Sequence, residues 1–319
     1  MAQKQKKWVF LLSLLLVSIE LCAQFDAQFD QYWYDHTVEN PAAVGERQMM
    51  QVSLLQRNQW IGVRNAPITT LLSVNAPFKM RKKNAAHGVG LQFKSDVLGI
   101  FANQYISAEY AYKFQLGKGV FSVGANVGAV NIICYGDSVR LVESEYHTAN
   151  DPAIPTGKKS GIGLDLGLGL WYSGEVWYAG LSATHLPKIK IHLGETALFR
   201  IMPMYTASGG YDFKLKSPDY RIKTSALVST DLRTWDFHAT ALLSYQEKYW
   251  GGLSGRRNGL GVVLGTNFFK GLTLGYTYEL PLGNRMLRFT SGSHEIYVGY
   301  EFNFMGGRGD QSYKSVRYL

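Results

Sequence analysis

A strict alternation of apolar and polar side chains recurs along most of this chain and limits what it can fold into. From Ile162 to Leu170 every second residue is a large aliphatic one, with glycine or aspartate between them. Residues 104–116, 272–280 and 294–304 show the same period of two. A β-strand directs successive side chains to opposite faces, so each segment has one apolar and one polar face. Helical spacing explains none of these segments.

The length of these segments favours a membrane location. A tilted strand of about 9 to 11 residues crosses a bilayer, and beyond residue 21 no apolar run is long enough for a transmembrane helix. A secreted soluble protein and an outer-membrane barrel remain, since only helices and closed barrels satisfy backbone polar groups in lipid. The recurrence of the pattern favours an all-β fold, a transmembrane antiparallel β-barrel surrounded by outer-membrane lipids. A mean hydropathy of −0.10 agrees, because half of each strand faces a polar lumen.

Turn residues divide the chain into about fourteen strands. All but one of the even connections between strands are short, whereas the three longest connections are odd ones: 133–159, 186–202 and 282–293. Outer-membrane barrels alternate short periplasmic turns with longer external loops, so both ends of the barrel are predicted to be periplasmic. The predicted strands are 46–59, 67–78, 87–96, 101–116, 119–132, 160–173, 175–185, 203–215, 220–230, 234–246, 248–254, 259–269, 271–281 and 294–304, of which 248–254 has the weakest pattern.

The N-terminus has the order of a secretion signal, with three lysines before an apolar run that ends at Leu21. Cleavage after Ala23 is predicted. The alternative is a lipoprotein acylated at Cys22, for which Glu20 is a poor neighbour. Cys134 then remains as the single cysteine, so no internal disulfide is predicted, and its place beside the longest loop makes it accessible from outside. The predicted parts are a signal peptide 1–23, a lead-in segment 24–45, the barrel 46–304 and a periplasmic tail 305–319.

Charged residues of both signs fall on the predicted inner face. Paired charges would fill and close the lumen, whereas unpaired charges would line water, and a barrel of this size is wide enough for a pore unless something plugs it. Mixed signs favour a paired network over an ion-selective ring, which has one sign. The net charge of +9 comes with no nucleic-acid-binding motif, so no nucleic-acid partner is predicted. The predicted lumen charges are Lys94, Glu109, Lys113, Asp165, Asp212, Lys214, Arg221, Lys223, Glu279, Glu295 and Glu301.

Catalysis is not predicted. None of the seven histidines belongs to an H-E-x-x-H pair, and no G-x-S-x-G nucleophile elbow occurs. His185, which precedes Leu186-Pro187, is interpreted as a loop residue. The acidic residues of loop 133–159 lack the regular oxygen spacing of a calcium loop. No cofactor and no metal site are expected.

Several short motifs occur together. The first are Phe29-Asp30-Gln31-Tyr32, Asn40-Pro41-Ala42, Gly45, Arg57-Asn58-Gln59-Trp60, Ala66-Pro67 and Thr70. The later ones are Gly88-Val89-Gly90-Leu91, Tyr110-Ala111-Tyr112, His185-Leu186-Pro187 and Ser291-Gly292-Ser293-His294-Glu295-Ile296. Together they resemble the PorP/SprF family over nearly the whole mature chain. The aromatic stretch Tyr32–His36 departs from the family, which usually has a milder segment before its Asn-Pro.

The resemblance implies a non-enzymatic outer-membrane component of the type IX secretion system of Bacteroidetes. Members support export or surface attachment of cargo proteins and adhesins that carry C-terminal secretion domains. They are linked to a periplasmic ring of lipoprotein and partner subunits. The alternative function is a stand-alone outer-membrane channel or transporter for small solutes, which would need neither the lead-in nor basic periplasmic elements.

Two of the motifs are candidate partner sites. Asn40-Pro41 is predicted to form a turn that seats the lead-in at the barrel base or in its lumen, with a direct partner contact as the alternative. Arg57-Asn58-Gln59-Trp60 is predicted near the outer rim, where Trp60 belongs to an aromatic belt or the motif contacts cargo or gates the pore. The basic side chains predicted to face a periplasmic partner or anionic headgroups are Lys79, Arg81, Lys82, Lys83, Lys314 and Arg317.

Overall fold

The chain folds into a closed antiparallel β-barrel of fourteen strands, which confirms the predicted fold class. The computed structural model describes residues 26–47, 49–79, 86–138, 157–194, 197–269, 271–282 and 286–303. The barrel strands are β1 (Met50–Asn58), β2 (Ile68–Lys79), β3 (Ala86–Leu98), β4 (Phe101–Leu116), β5 (Gly119–Tyr135), β6 (Lys158–Ser173), β7 (Trp177–Leu186), β10 (Met204–Lys214), β11 (Tyr220–Thr230), β12 (Trp235–Tyr245), β13 (Tyr249–Arg256), β14 (Gly259–Asn267), β15 (Leu272–Pro281) and β16 (Ser293–Phe302). Two further strands, β8 (Ile189–Leu193) and β9 (Ala197–Ile201), form a separate hairpin.

The barrel closes between its first and last strands. β1 and β16 pair antiparallel, with Arg57 opposite Glu295 and Gln51 opposite Glu301. The β-barrel predicted from the sequence requires such a closing pair. Every barrel strand described here pairs on both sides, so the sheet presents no edge to the lipid.

The two faces of the barrel wall have opposite character. On β6, Ile162 and Leu164 are 74% and 61% exposed on the outside, whereas Asp165 is buried on the inside. Each barrel strand carries exposed large apolar side chains of this kind. Monomeric soluble proteins rarely expose apolar patches of this size, so the outer wall is a lipid-facing surface.

The two ends of the barrel differ in their connections. β1 begins and β16 ends at one end, here called the terminal rim. The other end, here called the loop rim, carries the three longest connections, 136–157, 187–203 and 282–292. Their placement on one side is the loop asymmetry of outer-membrane barrels.

An aromatic girdle surrounds the terminal rim. Outward-facing rings lie close together there, with centroids 4.8 Å apart for Tyr172 and Trp177 and 4.9 Å apart for Tyr220 and Tyr245. Aromatic side chains are enriched at membrane–water interfaces, because their rings suit the headgroup region. The girdle therefore marks one membrane boundary.

The junction between β6 and β7 is irregular and leads into the separate hairpin. The register shifts between Leu166 and Leu168, and β7 ends at Leu186, while β6 continues to Lys158. The β8–β9 hairpin then folds back against the inner wall of β5 and β6 near the loop rim. The buried cluster between them consists of Val130, Ile132, Cys134, Ile189, Ile191 and Leu193.

Two sequence expectations are corrected in this region. Residues 186–202 were predicted to be a loop but contain both strands of the hairpin. Cys134 was predicted to be accessible from outside but points inward beneath the hairpin and is 2% exposed. Within the described residues no helix is long and apolar enough to cross a membrane.

Candidate functional site

The lead-in segment lies inside the barrel. Residues 26–47, here called the plug, run through the lumen from its loop-rim half to the terminal rim, where β1 begins. Near the loop rim Lys94 of β3 binds Asp26, and beside the terminal rim Glu301 of β16 binds Arg47. The plug side chains buried against the wall are Phe29, Asp30, Gln31, Tyr32, Trp33, Tyr34, Asp35, Thr37, Asn40, Pro41, Ala42, Ala43, Val44 and Arg47.

The plug has little regular structure of its own. It contains two short 3-10 helices, His36–Val38 and Pro41–Ala43. The Asp35 side chain accepts a hydrogen bond from the Thr37 N–H at the first, and Asn40 caps the second. Such caps satisfy backbone donors that a short helix leaves unpaired.

Four charged side chains meet around Asp30 of the plug, and we call the five residues together the Asp30 cluster. Arg57 of β1 binds Asp30 directly. Its guanidinium also lies 3.0 Å from an oxygen of Glu279 on β15 and 3.2 Å from one of Glu295 on β16. Arg256 of β13 lies 2.5 Å from Asp30 and 2.9 Å from Glu279.

Backbone hydrogen bonds reinforce the Asp30 cluster. The Glu295 carboxylate accepts the N–H groups of Asp30 and Gln31, both at 2.7 Å. The His238 ring lies 3.5 Å from Asp30. Removing one partner of a buried ion pair leaves an uncompensated buried charge, which costs about 3–5 kcal/mol. The Asp30 cluster therefore holds the loop-rim part of the plug in one position against four barrel strands.

On the terminal-rim side of the Asp30 cluster, aromatic rings of the plug pack on the barrel wall. Tyr34 stacks on Tyr297 of β16 at 4.3 Å, and Trp33 meets Trp250 of β13 edge-on at 6.3 Å. The Tyr32 hydroxyl donates to Ser225 of β11 at 3.0 Å. Aromatic pairs in these offset and edge-on arrangements add to the burial of apolar area.

Asn40, from the first candidate motif, binds the opposite wall of the barrel. Its side-chain amide donates to the carbonyls of Leu170 on β6 and Leu181 on β7, at 3.0 and 3.2 Å. A Cβ atom on Gly169 would lie only 2.0 Å from the Asn40 oxygen, and one on Gly124 would lie 2.4 Å from the plug backbone. Inward glycines thus give the plug room to lie flush against β5 and β6.

The remaining residues of the second motif form the first turn at the loop rim. Asn58 ends β1, and Trp60 has a left-handed backbone conformation with φ of 48°. The Trp60 N–H donates to the Ser293 hydroxyl at 3.2 Å, and Ile61 exchanges backbone hydrogen bonds with residues 291–292. The turn after β1 is therefore hydrogen-bonded to the last long connection, 282–292. Arg57 alone of this motif reaches the plug.

Six of the predicted lumen charges that are buried on the inner side are Lys94, Glu109, Lys113, Asp165, Glu279 and Glu301. Four of them have partners: Lys94 with Asp26, Asp165 with His185, Glu279 with both arginines of the Asp30 cluster, and Glu301 with Arg47. Glu109 and Lys113 are buried on β4, 7% and 5% exposed. Of the other predicted charges, Asp212 pairs with Arg221.

Five of the six basic candidates lie outside the described residues: Arg81, Lys82, Lys83, Lys314 and Arg317. Lys79 ends β2, where its backbone pairs with Ala86. The terminal rim carries exposed lysines among its described residues: Lys118, Lys216 and Lys248 in turns and Lys214 at the end of β10.

The sequence analysis missed two residues that bind charged partners inside the lumen. His185 was interpreted as a loop residue, but it lies within β7, is buried, and is 3.1 Å from Asp165 and 3.2 Å from Asp26. Arg256 was missed because β13 was predicted to end at residue 254. Side chains two residues apart on a strand face the same side, so the inward direction of Ser254 would have indicated that Arg256 also faces the lumen.

The chain is similar to one protein family. A family model described as "Type IX secretion system membrane protein PorP/SprF" matches residues 21–300. None of the curated proteins compared with the chain matches it.

Solved structures of outer-membrane barrels resemble the fold. The toluene transporter TbuX of Ralstonia pickettii has a TM-score of 0.51 and 13% identity, over 88% of this chain and 96% of that one. Omp33 of Acinetobacter baumannii gives 0.46 and 10%, over 82% and 100%. The outer membrane phospholipase A of Escherichia coli gives 0.38 and 12%, over 83% and 98%. At such identities TbuX shows a shared fold alone, and the other two carry no functional argument.

Proposed function

This chain belongs to the PorP/SprF family of type IX secretion system membrane proteins, and from that premise we propose that it supports export or surface attachment of cargo proteins with C-terminal secretion domains. It is an outer-membrane β-barrel. The function requires a fixed assembly point in the membrane and no catalytic centre.

The plug is the observation that carries this proposal over a diffusion channel. A solute channel needs a continuous aqueous path, whereas here a segment of the same chain crosses the lumen and is bound at both ends. The Asp30 cluster and the aromatic pairs on its terminal-rim side tie the plug to one wall, and Asn40 ties it to the opposite wall. A barrel closed in this way is suited to act as a docking platform.

The orientation follows from the loops. Long connections of outer-membrane barrels are external, so the loop rim faces the outside, where cargo arrives, and the terminal rim faces the periplasm. The exposed lysines of the terminal rim give it a positive charge that would attract an acidic surface of the ring subunits. Anionic headgroups are the competing partner for the same lysines.

Deleting the gene tests the proposal. We expect at least one exported protein with a C-terminal secretion domain to disappear from the cell surface and to return when the wild-type gene is supplied. Surface proteomics measures this, with an unrelated outer-membrane porin as the control for envelope integrity. Normal surface display of every such cargo would overturn the proposal, and a loss of small-solute uptake instead would favour the channel.

A further inference from the structure

A cavity of about 560 Å³ opens at the loop rim. Its floor is the start of the described plug, at Asp26 and Ala27. One side is formed by Leu98 and Phe101 where β3 meets β4, and the turn between β11 and β12 contributes Arg233. A further side is formed by residues 199–202, at the β9 strand of the β8–β9 hairpin. The cavity therefore faces the exterior and is separate from the periplasmic end of the barrel.

The hairpin presents an unpaired strand edge to this cavity. In the part of the chain that the structure describes, β9 pairs with β8 alone, and residues 197–201 make no backbone hydrogen bond outside that hairpin. Four successive residues, 199–202, line the cavity. Because side chains alternate along a strand, a cavity lined by successive residues meets the strand along its edge.

The position of the hairpin is fixed, so its edge is a rigid template. β8 buries Ile189 and Ile191 against β5, and Phe199 of β9 packs on Phe101 with ring centroids 5.6 Å apart. Natural proteins usually cover or charge an exposed strand edge, since it can pair with another chain. Here the edge borders a cavity that has both apolar and charged side chains, among them Met204, Arg200 and Asp231.

We propose that this cavity binds an extended segment of an exported protein, which adds to β9 as a third strand. The proposal rests on the proposed function and names the mode of cargo contact. Main-chain hydrogen bonds to β9 supply binding energy that does not depend on sequence, while the cavity accepts alternate side chains of the segment. The five residues of β9 span about 17 Å, enough for a short strand. An unpaired strand edge favours a polypeptide as the ligand, because its successive backbone donors and acceptors match those of another strand.

Hydrogen exchange on the full-length protein in detergent micelles tests this. The probe is the purified C-terminal domain of an exported protein whose surface display is lost on deletion of this gene. We expect amides of residues 197–201 that face away from β8 to exchange quickly in the free protein. Binding of the domain should slow their exchange about tenfold or more, while amides of the 282–292 connection remain unchanged.

A variant and its matched control give a second readout. Met202→Trp narrows the cavity and should weaken binding of the domain about tenfold. Leu287→Trp adds the same ring to an exposed position on the same rim, outside the cavity, and should bind as the wild type does.

The outcomes separate the two proposals. Binding of the domain without protection of β9, or equal affinity of both variants, overturns the strand addition and leaves the secretion role standing. Loss of cargo display on deletion without any direct binding of the domain also overturns it. Normal display after deletion overturns the proposed function, and the cargo site falls with it.

Discussion

Arg57 is the residue on which the position of the plug most depends. Its side chain is 1% exposed and binds three carboxylates, one from the plug and two from the wall. Arg57→Met keeps much of the volume but removes the arginine that binds Glu295 and one of the two that bind Asp30 and Glu279. We expect the free energy of unfolding to fall by about 3–5 kcal/mol, measured by urea titration of the protein refolded into lipid vesicles.

The control for this prediction is Arg257→Met. Arg257 is the next residue after Arg256 but is exposed, and it donates to the Trp235 carbonyl at 2.9 Å. Its replacement should change the unfolding free energy by less than about 0.5 kcal/mol. Similar losses for the two variants would mean that the Asp30 cluster does not stabilise the fold.

Neighbouring residues on β6 test the two faces of the wall. Leu168 is 59% exposed to lipid, so Leu168→Arg should cost about 2–4 kcal/mol near the bilayer centre. Gly167 faces inward, and a Cβ there would meet the end of the Asn126 side chain, which can move. Gly167→Ser should therefore be milder in the same urea titration. Equal costs would contradict the assignment of the faces.

At the residue scale the sequence predicted which charges face inward but not which groups they bind. Successive side chains of a strand alternate between its two faces, and this alternation correctly placed Lys94 and Asp165 in the lumen. Their partners, Asp26 and His185, come from the plug and from an irregular strand end. Pairing across the lumen depends on how the plug winds, which no local pattern encodes.

Among the secondary-structure elements, the barrel strands were predictable and the β8–β9 hairpin was not. Most barrel strands repeat the period of two over a length that crosses the bilayer, so the signal is strong, and the weakest pattern belongs to the eight-residue β13. β8 has the same alternation in Ile189–Leu193, but five residues are too few to distinguish a strand from a loop. The bulge between Leu166 and Leu168, which ends the regular pairing of β6 with β7, likewise has no local signature.

Cys134 reports on the position of the hairpin. In the wild type it lies beneath Ile189 and Ile191, so a membrane-impermeant maleimide should leave it unmodified on intact cells. Replacing residues 189–201 by a short Gly-Ser linker should expose the thiol and allow its modification. Mass spectrometry of the peptide that contains Cys134 measures the modified fraction. Rapid modification of the wild type would show that the hairpin does not cover the inner wall.

The whole molecule is a barrel whose own N-terminal segment crosses the lumen, and this arrangement is the observation that favours the proposed platform over a pore. Larger barrels leave an aqueous channel unless they are plugged. The sequence predicted that the lead-in is seated at the barrel base or in the lumen, with a partner contact as the alternative, because its aromatic and acidic residues suit a partner surface as well as a lumen. In the structure both sets of side chains bind the inner wall, at the Asp30 cluster and at Trp250.

Electrical conductance tests this closure in the intact barrel. Wild-type protein in a planar lipid bilayer should show little ionic current, and deletion of residues 26–46 should produce stable open-channel steps. Because that deletion could prevent folding, a second variant keeps the chain length and replaces Tyr32, Trp33 and Tyr34 by serine. It removes the aromatic contacts of the plug and should raise the frequency of openings. Leu287→Ser, on the loop rim outside the lumen, should conduct as the wild type does. Steady large currents through the wild type would contradict the plugged barrel, since they require a water path past the Asp30 cluster.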